Sequence, residues 1–158
     1  IIHHHLVRDL QNQRVHRIYW AFVHGKLPAA GSINAPLDPV APGAVLRQVD
    51  SQGKPAITHY KTLKHWSNAV SLAEIALETG RTHQIRVHMA HIGHPLLGDQ
   101  LYGQPNNTGL INRQALHARK LVFTHPVSKK VLILEAPLPE DLNRLTQVFD
   151  RYTELKLW

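Results

Sequence analysis

The 158-residue chain has no cysteine, a single methionine, and only 11 acidic side chains against 18 lysines and arginines. Each shortage removes a class of function. Without cysteine there is no disulfide framework and no thiol nucleophile, which fits a reducing compartment and makes the cytoplasm the expected location. No apolar run approaches the roughly 18 residues that a membrane span requires, and the first residues do not read as a secretory leader. The shortage of acid leaves a formal net charge of +7. A surplus of that size on a small domain favours a polyanionic partner, because lysine and arginine neutralise phosphates and release their counterions; the plainer alternative is charge that only keeps the protein soluble. What remains is 43% apolar, enough for one folded domain with a modest core.

Two side-chain periods divide the chain. Leu6 to Val15 reads as a short helix or its tail, and the run His3-His4-His5 is set aside as resembling an affinity tag. Arg17 to His24 is β-branched and aromatic, a buried strand stopped by Gly25. The Pro- and Gly-rich stretch from Lys26 to Gly43 leaves room only for a short edge strand at Ser32 and Ile33. Ala44 to Val49, Ala56 to Trp66 and Ala69 to Glu78 read as strands, the last two joined as a hairpin through Ser67-Asn68. The period then lengthens. Thr82 is the expected N-cap of a helix running to about Ile92, with Ile85, Met89 and Ile92 on one face and Gly93 and Pro95 ending it. Beyond a polar loop around Gln104 to Gly109, Ala115 to Phe123 and Lys130 to Glu135 are two further strands. Pro139, at the first helical position, opens a final helix whose apolar stripe is Leu142, Leu145 and Val148 or Phe149. The sum is a single α+β domain over residues 1–158, a mixed and largely antiparallel sheet with one internal and one C-terminal helix.

The junction from strand to internal helix is the chemically dense part. It gathers Arg81, His83, Gln84, Arg86 and His88, and a helix start with two arginines attracts phosphate or carboxylate. Arg86 follows Ile85, so it lies about 100° around the helix from the core stripe, at the edge of a cleft. The alternative is an amphipathic helix with ordinary solvated arginines. His83, His88, His91 and His94 are spaced five, three and three apart, which does not surround one ion from a single helix, so no metal site is expected.

The stretch from Leu77 to Gly103 resembles the motif of RluA-type RNA pseudouridine synthases, G-R-x-H-Q-I-R-x-H followed by G-H-P-I-x-G-D-x-x-Y-G. Gly80, Arg81, His83, Gln84, Ile85, Arg86 and His88 match the first part; Gly93, His94, Pro95, Gly98, Asp99, Tyr102 and Gly103 match the second, with Leu96 for the common Ile. Arg17 to Gly25 resembles the family's K-x-Y-x-A-x-V-x-G strand, Gly53 to Tyr60 its G-K-x-A-x-T-x-Y, Leu116-His117-Ala118 its L-H-A, and His125-Pro126 its H-P. The resemblance runs from about residue 6 to residue 148. It implies a partial pseudouridine synthase fold and isomerisation of uridine in RNA, ribosomal RNA first and transfer RNA second, without cofactor or metal. It also implies that Tyr19 stacks on the target uracil and helps to remove its C5 proton late in the reaction, and that Arg86 pairs with a catalytic aspartate. Arg81, His83, Lys54 and Arg17 are the expected RNA-binding residues.

One departure matters. The family's aspartate lies in H-R-L-D-x-x-T-S-G, upstream of the strand with Tyr19, and none of Asp9, Asp38, Asp50, Asp99, Asp141 and Asp150 stands in that context. Asp99 sits in a Gly-Asp turn, where a carboxylate caps backbone N–H groups. Pro39 stands where many relatives carry arginine. The expectation is a fragment of the catalytic domain, inactive alone, whose truncated sheet edge favours dimerisation or swapping. The competing reading is a catalytically empty RNA-binding module.

Overall fold

Strand β1 (His16–His24) lies at the centre of the architecture and divides its side chains between two cores. The computed structural model describes residues 2–11, 15–103 and 109–158. In chain order the elements are α1 (Ile2–Gln11), β1, β2 (Ala30–Asn34), β3 (Leu37–Pro39), β4 (Arg47–Val49), β5 (Ile57–Trp66), β6 (Val70–Leu77), α2 (Gln84–His91), β7 (Leu116–Thr124), β8 (Val131–Glu135) and α3 (Glu140–Glu154). Six strands form one sheet in the order β2-β5-β6-β1-β7-β8, and β3 pairs with β4 as a separate ribbon. Every pairing among the described strands is antiparallel.

The period of two along β1 sets the layers. Tyr19, Ala21 and Val23 face a core completed by Ala73 and Ile75 of β6 and by Ile85 and Met89 of α2. Trp20 and Phe22 face the other way, into a core with Trp66, Leu142, Leu145 and Phe149. The sheet therefore carries α2 on one face and α3 on the other. The face-setting register is Tyr19 opposite Ile75 and Ala21 opposite Ala73. On the β7 side the register slips between Ile18 and Tyr19, with Lys120 and then Ala118 as partners and Arg119 left over. Such a bulge bends the strand and re-aims its side chains, here beside Tyr19.

Several local expectations are corrected. The strand at Ala44 to Val49 shrinks to β4, because Pro42 and Gly43 (φ 78°) turn the chain back and the ribbon pairs only from Pro39 opposite Arg47. Thr82 does not cap α2. The capping position is His83, in the left-handed conformation at φ 55° with no side-chain cap bond. Gln84 does the satisfying instead: its Oε1 accepts from the Arg81 amide at 3.0 Å and the Thr79 hydroxyl at 2.8 Å. Pro139 is the cap of α3 rather than its first residue, with Glu140 and Asp141 in the first turn. The N-terminal helix spans Ile2–Gln11, and both the remainder of the expected Leu6 to Val15 segment at 12–14 and most of the expected polar loop, 104–108, lie outside the described residues.

Candidate active site

Tyr19 leaves the central strand on the α2 face, and Arg86 leaves α2 one residue after the buried Ile85. The two therefore converge. They line one cleft of about 290 Å³ together with Arg81, His83, Leu77 and Leu116. Lys54 is elsewhere: with Arg47 and Arg81 it lines a second cavity, of about 430 Å³, between the β3–β4 ribbon and the loop before α2. Arg81 borders both. Arg17, on the same face of β1 as Tyr19, shares with it a third depression of about 270 Å³ along β7 and β8. Its guanidinium lies against Gly80, where an added Cβ would come within 2.7 Å of it. Four of the six expected residues thus share one opening, and Lys54 and Arg17 flank it on either side.

Arg86 already holds a carboxylate from within the chain, which the sequence reading did not foresee. Its Nε and Nη2 donate to the two oxygens of Asp99 at 2.8 and 2.7 Å, a bidentate fork that leaves Nη1 out. The Asp99 side chain is fully buried and that of Arg86 is 11% exposed. Asp99 also accepts from the amides of Leu101 (3.0 Å) and Tyr102 (3.1 Å), so the expected turn cap is present but is only half of its work. Burial alone would raise the Asp99 pKa; the Arg86 fork and the two amides outweigh it and hold the carboxyl below its ordinary value. The fork in turn raises the Arg86 pKa. The Tyr102 ring covers the guanidinium, its centroid 5.2 Å from Cζ. This turn is tightly constrained: at Gly98 (φ 74°) a Cβ would lie 1.9 Å from the Arg113 carbonyl oxygen. No other residue fits there.

Behind the cleft, a chain of hydrogen bonds anchors α2 to the sheet. Gln84 Nε2 donates to the Ile57 carbonyl and to Thr58 Oγ1, both at 3.0 Å. The Ala35 carbonyl can only accept, so His88 Nε2–H donates to it at 2.8 Å, which leaves Nδ1 of the neutral ring to accept from the Thr58 hydroxyl at 2.8 Å. His88 is fully buried; burial lowers its pKa, against the Ala35 bond and with the help of His91, which favours the neutral ring. These contacts leave the histidines with structural partners: His83 pairs with Tyr102, and His94 with the His24 carbonyl. Among the described residues, no group of three or more histidines and carboxylates is gathered to hold a metal ion. No helix there is long and apolar enough to cross a membrane.

Sequence reasoning missed three contributors. Asp99 and Tyr102 were inside a recognised motif, and their pattern carried the signal without the role. Arg47 had no signal, since only tertiary structure brings its amide within 2.9 Å of the Tyr102 hydroxyl.

Comparison with known proteins follows the same lines. The family model described as RNA pseudouridylate synthase matches residues 1–91. An uncharacterized RNA pseudouridine synthase of Bacillus subtilis is 42% identical over 153 residues, covering 94% of this chain and 49% of that protein. The ribosomal large subunit pseudouridine synthase D of Haemophilus influenzae is 43% identical, covering 89% of this chain and 47% of that protein. The chain thus spans about half the length of the curated relatives it matches. Among solved structures, human RNA pseudouridylate synthase domain containing 1 superposes with a TM-score of 0.70 at 26% identity, over 91% of this chain and 69% of that one.

Proposed function

Since the chain belongs to the RNA pseudouridylate synthase family, we propose that the protein containing residues 1–158 isomerises uridine to pseudouridine in RNA. The observation that carries this reading is the convergence of a phenol and a guanidinium, from different elements, on one cleft. In that cleft Tyr19 stacks on the uracil, a contact worth roughly 1–3 kcal/mol per base. An aspartate in the R-L-D context, supplied from outside residues 1–158, starts cleavage of the N1–C1′ bond as nucleophile at the sugar or base at C2′. Uracil turns, C5 bonds to C1′, and the Tyr19 hydroxyl helps to remove the C5 proton. Arg86 orients that aspartate through Nη1, because its other face is occupied by Asp99.

The target uridine must leave its stack at a cost of a few kcal/mol, which favours loops and single strands. Arg81, His83, Lys54 and Arg17 hold the RNA around it. Residues 1–158 act as one unit, the C-terminal portion of the catalytic domain, in the cytoplasm and inactive alone. Ribosomal RNA is the preferred substrate, since similar proteins are named for the large ribosomal subunit; transfer RNA is second. The edge strand β8, which exposes Val131, Ile133 and Leu134, is where a dimer or a swap forms. One observation favours a second reading, a catalytically empty RNA-binding module: a net charge of +7 without the aspartate motif in these 158 residues. An in-frame R-L-D context directly upstream decides for the enzyme.

The test is tritium release from RNA labelled at uracil C5, using the full-length protein beside Tyr19→Phe and Arg86→Lys. Wild-type release with a large loss in both variants is expected, since lysine cannot form the fork. Full activity in both variants removes the assigned roles.

A further inference from the structure

A cleft histidine, His83, is hydrogen-bonded through Nδ1 to the Tyr102 hydroxyl. That hydroxyl accepts a hydrogen bond from the Arg47 amide at 2.9 Å. A phenol has one proton to give, and the polar atom in reach is His83 Nδ1 at 2.8 Å. In a neutral imidazole the nitrogen that accepts leaves the proton on the other, so Nε2 carries the N–H. Burial first, then the charges of Arg86 and Arg47, oppose protonation and outweigh Asp99, holding the His83 pKa below its ordinary value. These effects favour the neutral ring. Its edge stacks on Tyr102, with the ring centroids 5.5 Å apart, which fixes its orientation. Nε2 has no partner among the described residues, and His83 lines the Tyr19–Arg86 cleft. The backbone adds a second sign of purpose. His83 takes up a left-handed conformation that L side chains disfavour, yet caps nothing with its side chain.

We infer that His83 is a specificity-determining residue that donates one neutral hydrogen bond from Nε2 to a carbonyl oxygen of the pyrimidine held against Tyr19, with Tyr102 as the positioning residue that fixes its tautomer. The inference rests on the proposed isomerase reading for the identity of the ligand. A neutral donor suits a carbonyl oxygen, while the charged Arg86 already serves the Asp99 carboxylate and Arg81 Nε donates to the Pro55 carbonyl. If that oxygen is uracil O4, cytosine presents an amino group in its place and donor meets donor. Sites built around one hydrogen bond reject such analogues strongly.

The experiment uses the full-length protein with RNA whose target uridine carries oxygen, or sulfur at C2, or sulfur at C4. His83→Ala, His83→Gly (which suits φ 55°), His83→Gln and Tyr102→Phe are compared for kcat, KM and thermal midpoint. Expected are losses of about 10- to 100-fold in kcat for His83→Ala and His83→Gly, the scale of one unmade hydrogen bond. His83→Gln restores most of it, because its amide nitrogen reaches the place of Nε2. Tyr102→Phe, which keeps the ring over Arg86, falls between. Sulfur at one carbonyl reproduces the His83→Ala loss without multiplying it, and the salt dependence of binding stays unchanged. A shallower salt slope in His83→Ala would instead assign the contact to phosphate and overturn the inference. Equal loss in Ala, Gly and Gln variants, tracking the thermal midpoint, would also overturn it by showing a structural role alone. Because equilibrium binding of oligonucleotides with oxygen or sulfur at C2 and at C4 needs no turnover, it reads His83 even if wild-type protein releases no tritium. That last result would refute the isomerase reading separately.

Discussion

Both faces of the central sheet carry an apolar core, and they differ in the polar groups buried beside it. On the α3 face, Phe22 stacks on Trp66 with centroids 5.8 Å apart, and Phe149 packs against Trp66 at 5.5 Å. The one polar atom of that stack, Trp66 Nε1, reaches out to Asp150 at the rim, at 2.8 Å. On the α2 face, Thr58, Gln84, His88 and Asp99 are all buried, and each is hydrogen-bonded. An apolar face tolerates repacking. A buried polar face does not, because every orphaned group costs its full desolvation. The contrast teaches that both sides of β1 hold the fold, while positioning is concentrated on the α2 side.

The largest expected effect falls on the polar face. Asp99→Asn leaves the Arg86 guanidinium without its counter-charge and lowers stability by about 3–5 kcal/mol. It also lowers kcat more than it changes KM, as denaturant titration and steady-state kinetics on the full-length protein would show. Phe149→Ala sharpens the comparison from the other side. It should cost a similar amount, about 3–5 kcal/mol, through the cavity it leaves, with kcat unchanged wherever the protein remains folded. A fall in kcat equal to that of Asp99→Asn would break the division between faces.

The smallest effect is a pH dependence carried by His88. Burial lowers its folded pKa below the ordinary value of 6.5. The unfolded chain therefore takes up the proton more readily, so the neutral ring's contribution is fully present above about pH 6.5 and is lost as pH falls through the folded pKa. Thermal midpoints measured from pH 8 to pH 5 should decline on the acid side, and less so in His88→Gln.

Much of this layout was legible in the sequence. The β-branched and aromatic run from Arg17 to His24 marked the central strand, whose two faces the packing then defined, and Ile85, Met89 and Ile92 marked the apolar stripe of α2. Because both patterns point to the same layer, the convergence of Tyr19 and Arg86 was within reach. The details that escaped depend on contacts made at a distance. Asp99 lies 13 residues beyond Arg86, and a turn built on Gly98 is what brings the carboxylate under the guanidinium. Thr82 has the better capping chemistry, yet Gln84 takes over the helix start because its amide is already tied to β5 and to Thr79. Lys54 and Arg81 looked alike as cations, and only the β3–β4 ribbon gives Lys54 a cavity apart from Tyr19.

A structure of the full-length protein with a uridine-containing RNA bound tests the central claim most directly. It should show the unstacked uracil against the Tyr19 ring, with a carboxylate from the upstream polypeptide at the cleft edge beside Arg86 Nη1. A target nucleotide seated on the α3 face, or a cleft closed off by upstream residues with no nucleotide in it, would contradict the account.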